Sequence, residues 1–451
     1  MAQREHWGSK IGFIFATAGS AIGLGSLWRF PYVTGENGGG AFVLLYLIFT
    51  FLIAIPVFIG ELIMGRKAQK SAVQAYSNLS NQSEKWRLVG WFNILTSFLI
   101  LSYYSVVSGW TVNYTLMSLT QFTEGKTNEE IRQVFDILAS SGDICVFWHF
   151  IFMLLTVGVV YGGIRKGIEY WSKILTPALL AILIFLFIYA CFLPGFGKAV
   201  EFIFYPDFSK LTTKGVLEAL GMSFFTLSVG IGIILTYGSY LKSDDDIPKT
   251  GLIIGAMSLM VSILASLTIF PIVFSFGLSP EEGPGLVFKT LPVLFNQLTG
   301  TLVISTVFFV LFLFATLTSA ISLLEVLVAN LMEVFSWNRK KAVVVSGAAT
   351  FVMGIPSALA GSGTLFGDWS KMYGKDFFGT IDTLTGSWMM PMGGLLIAIF
   401  VGWRLGKVVI IEEFCKGTKL RALLPIWLFL LRYVAPIAVF IVVLQKSGIK
   451  I

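Results

Sequence analysis

The chain consists of long, unbroken apolar runs separated by short polar segments, and its apolar and polar residues do not alternate along those runs. A helix needs about 20 apolar residues to cross a hydrocarbon core about 30 Å thick. Only helices and closed barrels satisfy their backbone hydrogen bonds in lipid, and unbroken runs favour helices. The pattern therefore predicts an all-α integral membrane protein with about 11 transmembrane helices. The predicted spans are residues 11–35, 41–64, 89–119, 145–161, 169–192, 215–240, 250–277, 300–335, 341–358, 378–403 and 425–445.

Composition agrees with a chain that lies mostly in lipid. Hydrophobic residues make up 56% of the sequence and charged residues 13%, and the mean hydropathy is +0.82. A soluble domain carries roughly 25% charged residues, so this chain lacks the polar side chains that a fully wetted surface needs. The expected surroundings are the lipid bilayer of the cell membrane, which the chain crosses several times.

The charged loops alternate in sign along the chain. Basic residues gather in the loops at 66–87, 165–173 and 339–341, whereas acidic residues gather at 124–143 and in the pair Glu281–Glu282. Because cytoplasmic loops are rich in Lys and Arg, this pattern predicts a cytoplasmic N-terminus. An odd number of spans then predicts an extracellular C-terminus. The net charge of +7 follows from this loop pattern, and we expect no nucleic-acid partner.

The cysteines and histidines indicate neither a metal site nor a disulfide framework. Cys145, Cys191 and Cys415 have no metal-ligand spacing, and His6 and His149 are far apart in the sequence. The sequence also brings no nucleophile–base pair or metal cluster to the middle of a span. We therefore do not expect an enzyme.

Two of the predicted spans contain residues that weaken a helix. The first contains Gly19–Ser26, with three glycines and two serines, and the sixth contains Phe225–Gly232. One interpretation is close packing between helices, which small residues allow. The two segments, however, occupy corresponding positions in residues 11–192 and 215–403, and such paired interruptions are typical of transporters built from inverted repeats. The sequence thus predicts two five-helix repeats with broken first and sixth helices, followed by an eleventh helix at 425–445.

The ends of broken helices offer binding groups without ionised side chains. A half-helix that begins near Leu24 and Gly25 directs free amides and a positive dipole end into the membrane, which suits a carboxylate. Half-helices that end near Ala21 and Phe225 present free carbonyls, which suit an ammonium group or Na⁺. A zwitterionic amino acid fits both ends, and a charged side chain at this depth would cost several kcal/mol.

The sequence resembles the neurotransmitter:sodium symporter family, and especially its eleven-helix bacterial amino-acid branch. The resemblance covers almost the whole chain. It rests on Arg4-Glu5-His6-Trp7, Gly19–Ser26, Trp28-Arg29-Phe30-Pro31, Glu36–Phe42, Phe224–Gly232 and Tyr237-Gly238-Ser239-Tyr240. It implies a sodium-coupled symporter that imports a neutral, hydrophobic amino acid by alternating access.

The resemblance also implies a substrate site. The amides of Leu24 and Gly25 and the hydroxyl of Tyr104 would hold the substrate carboxylate. The ammonium group would bind the carbonyls and hydroxyl of Ala21, Phe225, Thr226 and Ser228. The side-chain pocket would be lined by Ser20, Ile100, Phe225, Ile231, Ser319 and Leu323. Gly230 is expected to leave room for a bulky side chain.

The resemblance implies two sodium sites, and the sequence departs from the family pattern in the first of them. The second sodium site would consist of Gly19, Ile22, Ala315, Thr318 and Ser319, all of which offer hard oxygens. The first would consist of Ala21, Ser26, Thr226 and Ser258, with serine at two positions where the family has asparagine. One or two Na⁺ are therefore expected. The resemblance also matches three residues to a chloride site, namely Tyr46, Ser258 and Ser262, but Met222 replaces the glutamine that is usual in that site. Two interpretations of these residues therefore stay open: they bind Cl⁻, or they pack one helix against another.

Gates and a hinge are implied as well. Arg29 and Asp382 match the extracellular gate, and Gly167 and Pro177 match a helix that unwinds to release sodium. The cytoplasmic gate, in the N-terminal segment 1–10 and the residues facing it, would consist of Arg4, Trp7, Ser239, Tyr240 and Glu333. Glu61 matches a glutamate that supports the unwound backbone, and the resemblance gives Glu325 no role.

Two other classes of function remain open at this point. The same scaffold can serve as an amino-acid sensor or a leak channel that does not transport. It can also carry an amine or an osmolyte, although the carboxylate-binding elements disfavour that substrate.

Overall fold

The computed structural model describes residues 5–277 and 283–446, and in this part of the chain the secondary structure is helical apart from one isolated bridge between Gly39 and Pro206. Arg4 and the pair Glu281–Glu282 lie outside the described residues. We number the helices of the bundle in chain order and leave the short surface helices unnumbered. They are α1 (Lys10–Ala21), α2 (Gly25–Glu36), α3 (Gly40–Ala68), α4 (Glu84–Leu119), α5 (Gly142–Tyr161), α6 (Ile164–Cys191), α7 (Thr213–Thr226), α8 (Ile233–Gly238), α9 (Ile247–Ser275), α10 (Thr301–Phe335), α11 (Arg339–Ser362), α12 (Trp369–Arg404) and α13 (Arg421–Gln445).

Within the described residues, 9 helices are long and apolar enough to cross a membrane, and the pair α1–α2 makes 10. This count differs from the prediction because the predicted span at 215–240 exists as two short helices, α7 and α8, with six residues between them. The bounds of other spans also differ, since polar turns extend them beyond the apolar core. Helix α4, for example, has 36 residues and is about 54 Å long at 1.5 Å per residue.

Both predicted interruptions are real breaks in the helices. Helices α1 and α2 meet at 47° across Ile22–Leu24. Between α7 and α8 the backbone adopts positive φ at Ser228 (53°), Gly230 (87°) and Gly232 (81°). Glycine adopts this conformation without a steric penalty, so the two glycines permit the break that the sequence suggested.

The breaks lie within the buried core of the bundle. Helices α4 and α10 pack against each other, and α1 packs against α6 and α10. Lipid-facing helices differ from this core: only 28% of the apolar window of α13 is buried, against 78% for α4. The fold therefore encloses the two breaks within α3, α4, α6, α9, α10 and α12.

Candidate functional site

A cavity lies between the two helix breaks and is closed by α4, α10 and α12. Its wall is mostly apolar and contains neither acidic nor basic side chains from the described residues. The lining residues are Ser20, Ala21, Gly23, Leu24, Gly25, Ile100, Tyr104, Phe225, Ser228, Ile231, Ile233, Ser319, Leu323 and Met390.

Polar groups concentrate at one end of this cavity. The amide of Leu24 donates to the hydroxyl of Tyr104 at 3.3 Å. The hydroxyls of Ser228 and Ser319 both donate to the carbonyl of Ser20, each at 3.0 Å. These two bonds join α1 to the second break and to α10. The hydroxyl oxygens keep lone pairs that can accept from an ammonium group.

Eleven of the twelve predicted substrate residues line the cavity, and Thr226 does not. The hydroxyl of Thr226 lies instead 2.9 Å from the carbonyl of Met222 and 2.8 Å from the hydroxyl of Tyr46. The carbonyl of Thr226, which the resemblance assigned to the ammonium group, accepts from the hydroxyl of Ser258 at 2.9 Å. Gly23, Ile233 and Met390 line the cavity although the sequence prediction omitted them. Gly23 lies within the first interrupted segment and Ile233 directly follows the second, whereas Met390 lies on α12, where no motif indicated it.

The expectation for Gly230 is wrong. Gly230 is not among the lining residues. A Cβ at this position would overlap the carbonyl of Met390 and lie 2.8 Å from the amide of Gly394. Gly230 therefore allows the break to pack against α12, and it leaves no extra room for a substrate side chain.

Three of the residues predicted for the second sodium site come together between α1 and α10, namely Gly19, Thr318 and Ser319. The hydroxyl of Ser319 lies 3.5 Å from the carbonyl of Gly19. The hydroxyl of Thr318 donates to the carbonyl of Ala315 at 3.0 Å. Ile22 directly follows the end of α1, and its amide bonds to Ala18. Carbonyl and hydroxyl oxygens of this kind suit a hard cation.

The residues predicted for the first sodium site form two linked pairs. Ser26 donates to the carbonyl of Ala21 at 3.3 Å, and Ser258 donates to the carbonyl of Thr226 at 2.9 Å. The serine hydroxyls thus bond to the same carbonyls that were expected to bind the ion. A methyl group of Thr226 lies near Gly25, which brings the two pairs to neighbouring positions.

The three residues predicted for chloride also lie together. The hydroxyl of Tyr46 lies 3.5 Å from that of Ser262, and Ser262 donates to the carbonyl of Ser258 at 3.0 Å. All three side chains are buried. These contacts are those of helix packing, and they leave the chloride hypothesis open.

A buried acid supports the second break from behind. Glu61 on α3 accepts from the amide of Gly230 at 2.7 Å and from that of Leu235 at 3.2 Å. Both amides belong to the break or to the first turn of α8, where helical partners are missing. The carboxylate lies in the position that the resemblance implied for it.

A pair of charged side chains covers the cavity on the side nearest Arg29. Arg29 and Asp382 form an ion pair at 3.4 Å. The guanidinium of Arg29 also lies 5.0 Å from the centre of the Phe225 ring, which forms part of the cavity wall. Because both charged side chains keep partial contact with solvent, the pair can break at little cost.

At the opposite end, Trp7 is buried and its indole donates to the carbonyl of Tyr237 at 3.1 Å. The other residues predicted for this gate each have partners within the described part of the chain. Ser239 donates to Thr236, Tyr240 to Glu325, and Glu333 accepts from Ser71. Arg4 itself lies outside the described residues.

Glu325 has a clear structural environment. It is fully buried and pairs with Arg339 at 2.5 Å, and it accepts from Tyr240 at 2.7 Å. Arg339 also donates to the carbonyl of Val160 at 2.8 Å. The acid thereby joins the end of α8 to α10, α11 and α5.

The predicted hinge lies in α6. Gly167 belongs to a wide, π-helical segment, Ile164–Glu169, and Pro177 lies inside the regular helix that follows. A Cβ at Gly167 would overlap the carbonyl of Val159. Glycine is therefore required for the close approach of α5 and α6 at this point.

Comparison with known proteins agrees with this geometry. The family model described as the sodium:neurotransmitter symporter family matches residues 4–134 and 126–448. This chain belongs to that family. Its members are sodium-dependent transporters, so the chain is a membrane protein whose function depends on Na⁺ and a small-molecule substrate.

Individual relatives span most or nearly all of the chain. An uncharacterized sodium-dependent transporter, YhdH of Bacillus subtilis, is 40% identical over 446 residues, which is 98% of each chain. The sodium-dependent serotonin transporter of Drosophila melanogaster is 27% identical over 82% of this chain and 67% of its own length. A solved structure of MhsT in complex with L-phenylalanine matches with a TM-score of 0.91 and 39% identity, and covers 98% of this chain and 100% of MhsT.

Proposed function

We propose that this chain imports a neutral, hydrophobic amino acid together with Na⁺. The observation that carries the proposal is the division of one cavity into two parts. Near the breaks, helix ends and the hydroxyls of Tyr104 and Ser228 supply groups for a carboxylate and an ammonium. The remaining wall, with Ile100, Ile231 and Leu323, is apolar. The binding of L-phenylalanine to the similar protein MhsT supports the same class of substrate.

Sodium is proposed as co-substrate rather than as a resident metal. The carbonyls of Gly19 and Ile22 and the hydroxyls of Thr318 and Ser319 would hold one ion between α1 and α10. A second ion beside Ser26 and Ser258 would have to displace hydroxyls that already bond to carbonyls, so we propose that it binds more weakly. A chloride-free assay tests whether Cl⁻ binds near Tyr46.

Transport would follow from alternating access between two five-helix repeats. Na⁺ at the α1–α10 interface would hold the chain open to the outside until the amino acid binds. Closure of the pair Arg29–Asp382 would then occlude the substrate beneath Phe225. Unwinding near Gly167 would admit water to the sodium site, and the ion would leave to a low-sodium cytoplasm. A membrane potential contributes about 2.3 kcal/mol per charge per 100 mV.

Uptake into proteoliposomes across a panel of amino acids tests this proposal. Uptake of hydrophobic amino acids should depend on an inward Na⁺ gradient and should fall when K⁺ replaces Na⁺. Unchanged uptake in K⁺ would refute sodium coupling. Replacing Cl⁻ by gluconate in a parallel series tests the chloride site. Binding without counterflow of labelled amino acid would favour the sensor, and uptake of amines without a carboxylate would favour the other class of substrate.

A further inference from the structure

The segment that precedes α1 is attached to the bundle on two sides. On one side, the amide of Trp7 donates to the carbonyl of Tyr240 at 3.2 Å, and its indole donates to Tyr237. On the other side, the segment contacts the beginning of α6. The second set of contacts matters here because α6 also carries the predicted hinge.

Glu169 forms the centre of these contacts. It is 2% exposed, and its carboxylate accepts from the amide of Gly8 at 2.6 Å and from the hydroxyl of Ser9 at 2.8 Å. Lys173 donates to it at 2.6 Å. Ser9 in turn caps α1 by accepting from the amide of Gly12 at 3.0 Å. The carboxylate therefore lies at the positive end of α1, where a negative charge is stabilised.

The fit between Glu169 and α1 is close. A Cβ at Gly12 would overlap the Glu169 side chain, and a Cβ at Gly8 would lie 3.1 Å from a carboxylate oxygen. Because glycine has no side chain, Gly8 and Gly12 leave the space that the Glu169 side chain occupies. Glu169 is thus packed into the first turn of α1 as well as bonded to it.

Two further bonds connect the same pair of segments. The carboxylate of Glu5 accepts from the amide of Ile164 at 2.8 Å, and Arg165 donates to the carbonyl of His6 at 2.9 Å. Ile164–Glu169 is the π-helical segment that contains Gly167. These four contacts between residues 5–9 and α6 therefore all reach the 164–169 segment.

We propose that Glu169 is a positioning residue that couples the 164–169 segment to the N-terminal segment 5–9, so that both leave the bundle together. If the 164–169 segment unwound alone, the amide of Gly8 and the hydroxyl of Ser9 would lose their buried acceptor. If residues 5–9 moved alone, the buried carboxylate would lose two of its three donors. Each partial movement leaves polar groups unpaired, so the joint movement is favoured. The inference rests on the proposed alternating access for its purpose, while its test does not need transport.

The test uses two buried reporters, one on the helix that follows each segment, in a background with Cys191→Ser and Cys415→Ser. Ser172→Cys reports on α6 and Thr17→Cys reports on α1, since both native residues are buried. The rate of reaction with a membrane-impermeant methanethiosulfonate is measured on the purified protein in Na⁺. Glu169→Gln removes a charged acceptor, so both rates should rise roughly tenfold or more.

A second variant approaches the same contact from the other helix. Gly12→Ala places a methyl group where the Glu169 side chain lies, and it should also raise both rates. Gly158→Ala, whose Cβ meets nothing within 4 Å, is its matched control. Glu84→Gln removes another ion-paired carboxylate, that of the exposed Glu84–Arg87 pair, and should leave both rates unchanged.

The outcomes separate coupling from local stabilisation. A rise at Ser172→Cys alone, at Thr17→Cys alone, or at neither position overturns the proposal. Thermal unfolding of each variant shows whether it is folded, and if Glu169→Gln does not fold, Gly12→Ala decides the question. Joint labelling without sodium-driven uptake would keep the coupling and refute the proposed function. Uptake with separate labelling would do the reverse.

Discussion

The contact of Glu61 with the second helix break leads to a quantitative prediction. Its carboxylate supplies acceptors for the amides of Gly230 and Leu235. In Glu61→Gln the side-chain oxygen can still accept from one amide, but the new NH₂ group faces the other amide donor to donor. A buried donor without a partner costs about 1–3 kcal/mol. Glu61→Ala leaves both amides unpaired and should cost roughly twice as much.

This loss should appear in both stability and binding. The amide of Gly230 lies between Ser228 and Ile231, and both of these residues line the cavity. A displaced break would therefore deform the substrate site. A change of 1.4 kcal/mol corresponds to about a tenfold change in Kd. We expect the Kd for the amino acid to rise about tenfold in Glu61→Gln and further in Glu61→Ala.

Thermal unfolding in nanodiscs and equilibrium binding of a radiolabelled amino acid provide the measurements. Glu201→Gln, at an exposed acid, is the matched control and should behave as wild type. If Glu61→Gln also matched the wild type in Tm and Kd, the acceptor role would be refuted. Equal losses in Glu61→Gln and Glu61→Ala would indicate that the negative charge matters and that the number of acceptors does not.

Three further changes test the cavity and the first sodium site. Tyr104→Phe removes the hydroxyl beside the amide of Leu24. Because the substrate carboxylate would lose a hydrogen bond, its Kd in a binding assay should rise roughly tenfold or more. An unchanged Kd would contradict the assigned role of Tyr104. Ser26→Asn adds a longer amide oxygen beside the carbonyl of Ala21 and should lower the Na⁺ concentration for half-maximal uptake, and an unchanged value would mean that the first site does not bind Na⁺. Met390→Ala enlarges the apolar wall, so competition assays should shift toward bulkier amino acids; no shift would place the side chain elsewhere.

The sequence predicted the parts of the molecule that depend on local chemistry. Clustered glycines and serines weaken a membrane helix wherever they occur, so Gly19–Ser26 and Phe225–Gly232 could be identified as breaks before the structure was known. The membrane class follows equally from the apolar runs. Long-range pairs such as Arg29–Asp382 came from the resemblance, since no local pattern connects residues 353 positions apart.

What the sequence could not predict depends on how helices rotate and pack. Met390 lines the cavity because α12 turns that face toward the second break, and this orientation is set by contacts with Gly230. Thr226 was predicted to offer its carbonyl to the substrate, but that carbonyl accepts from Ser258 on α9, a contact between helices that no local pattern indicates. The role of Gly230 was inverted for the same reason: a glycine in a loop can face either a ligand or another helix. Periodicity and motif spacing do not distinguish these cases.

The position of the charges is the physical reason why we expect the cavity to favour a substrate without net charge. The acids and bases of the described bundle lie around the cavity and not in its wall: Glu61 is bonded to the break from behind, and Arg29 is paired with Asp382 above Phe225. A charged substrate side chain would enter the apolar wall without a partner, at a cost of several kcal/mol. An α-carboxylate and an α-ammonium, in contrast, would meet helix ends whose partial charges are fixed by the backbone. The proposed selectivity for neutral amino acids would thus follow from the two helix breaks, which are stabilised by charged side chains outside the cavity wall.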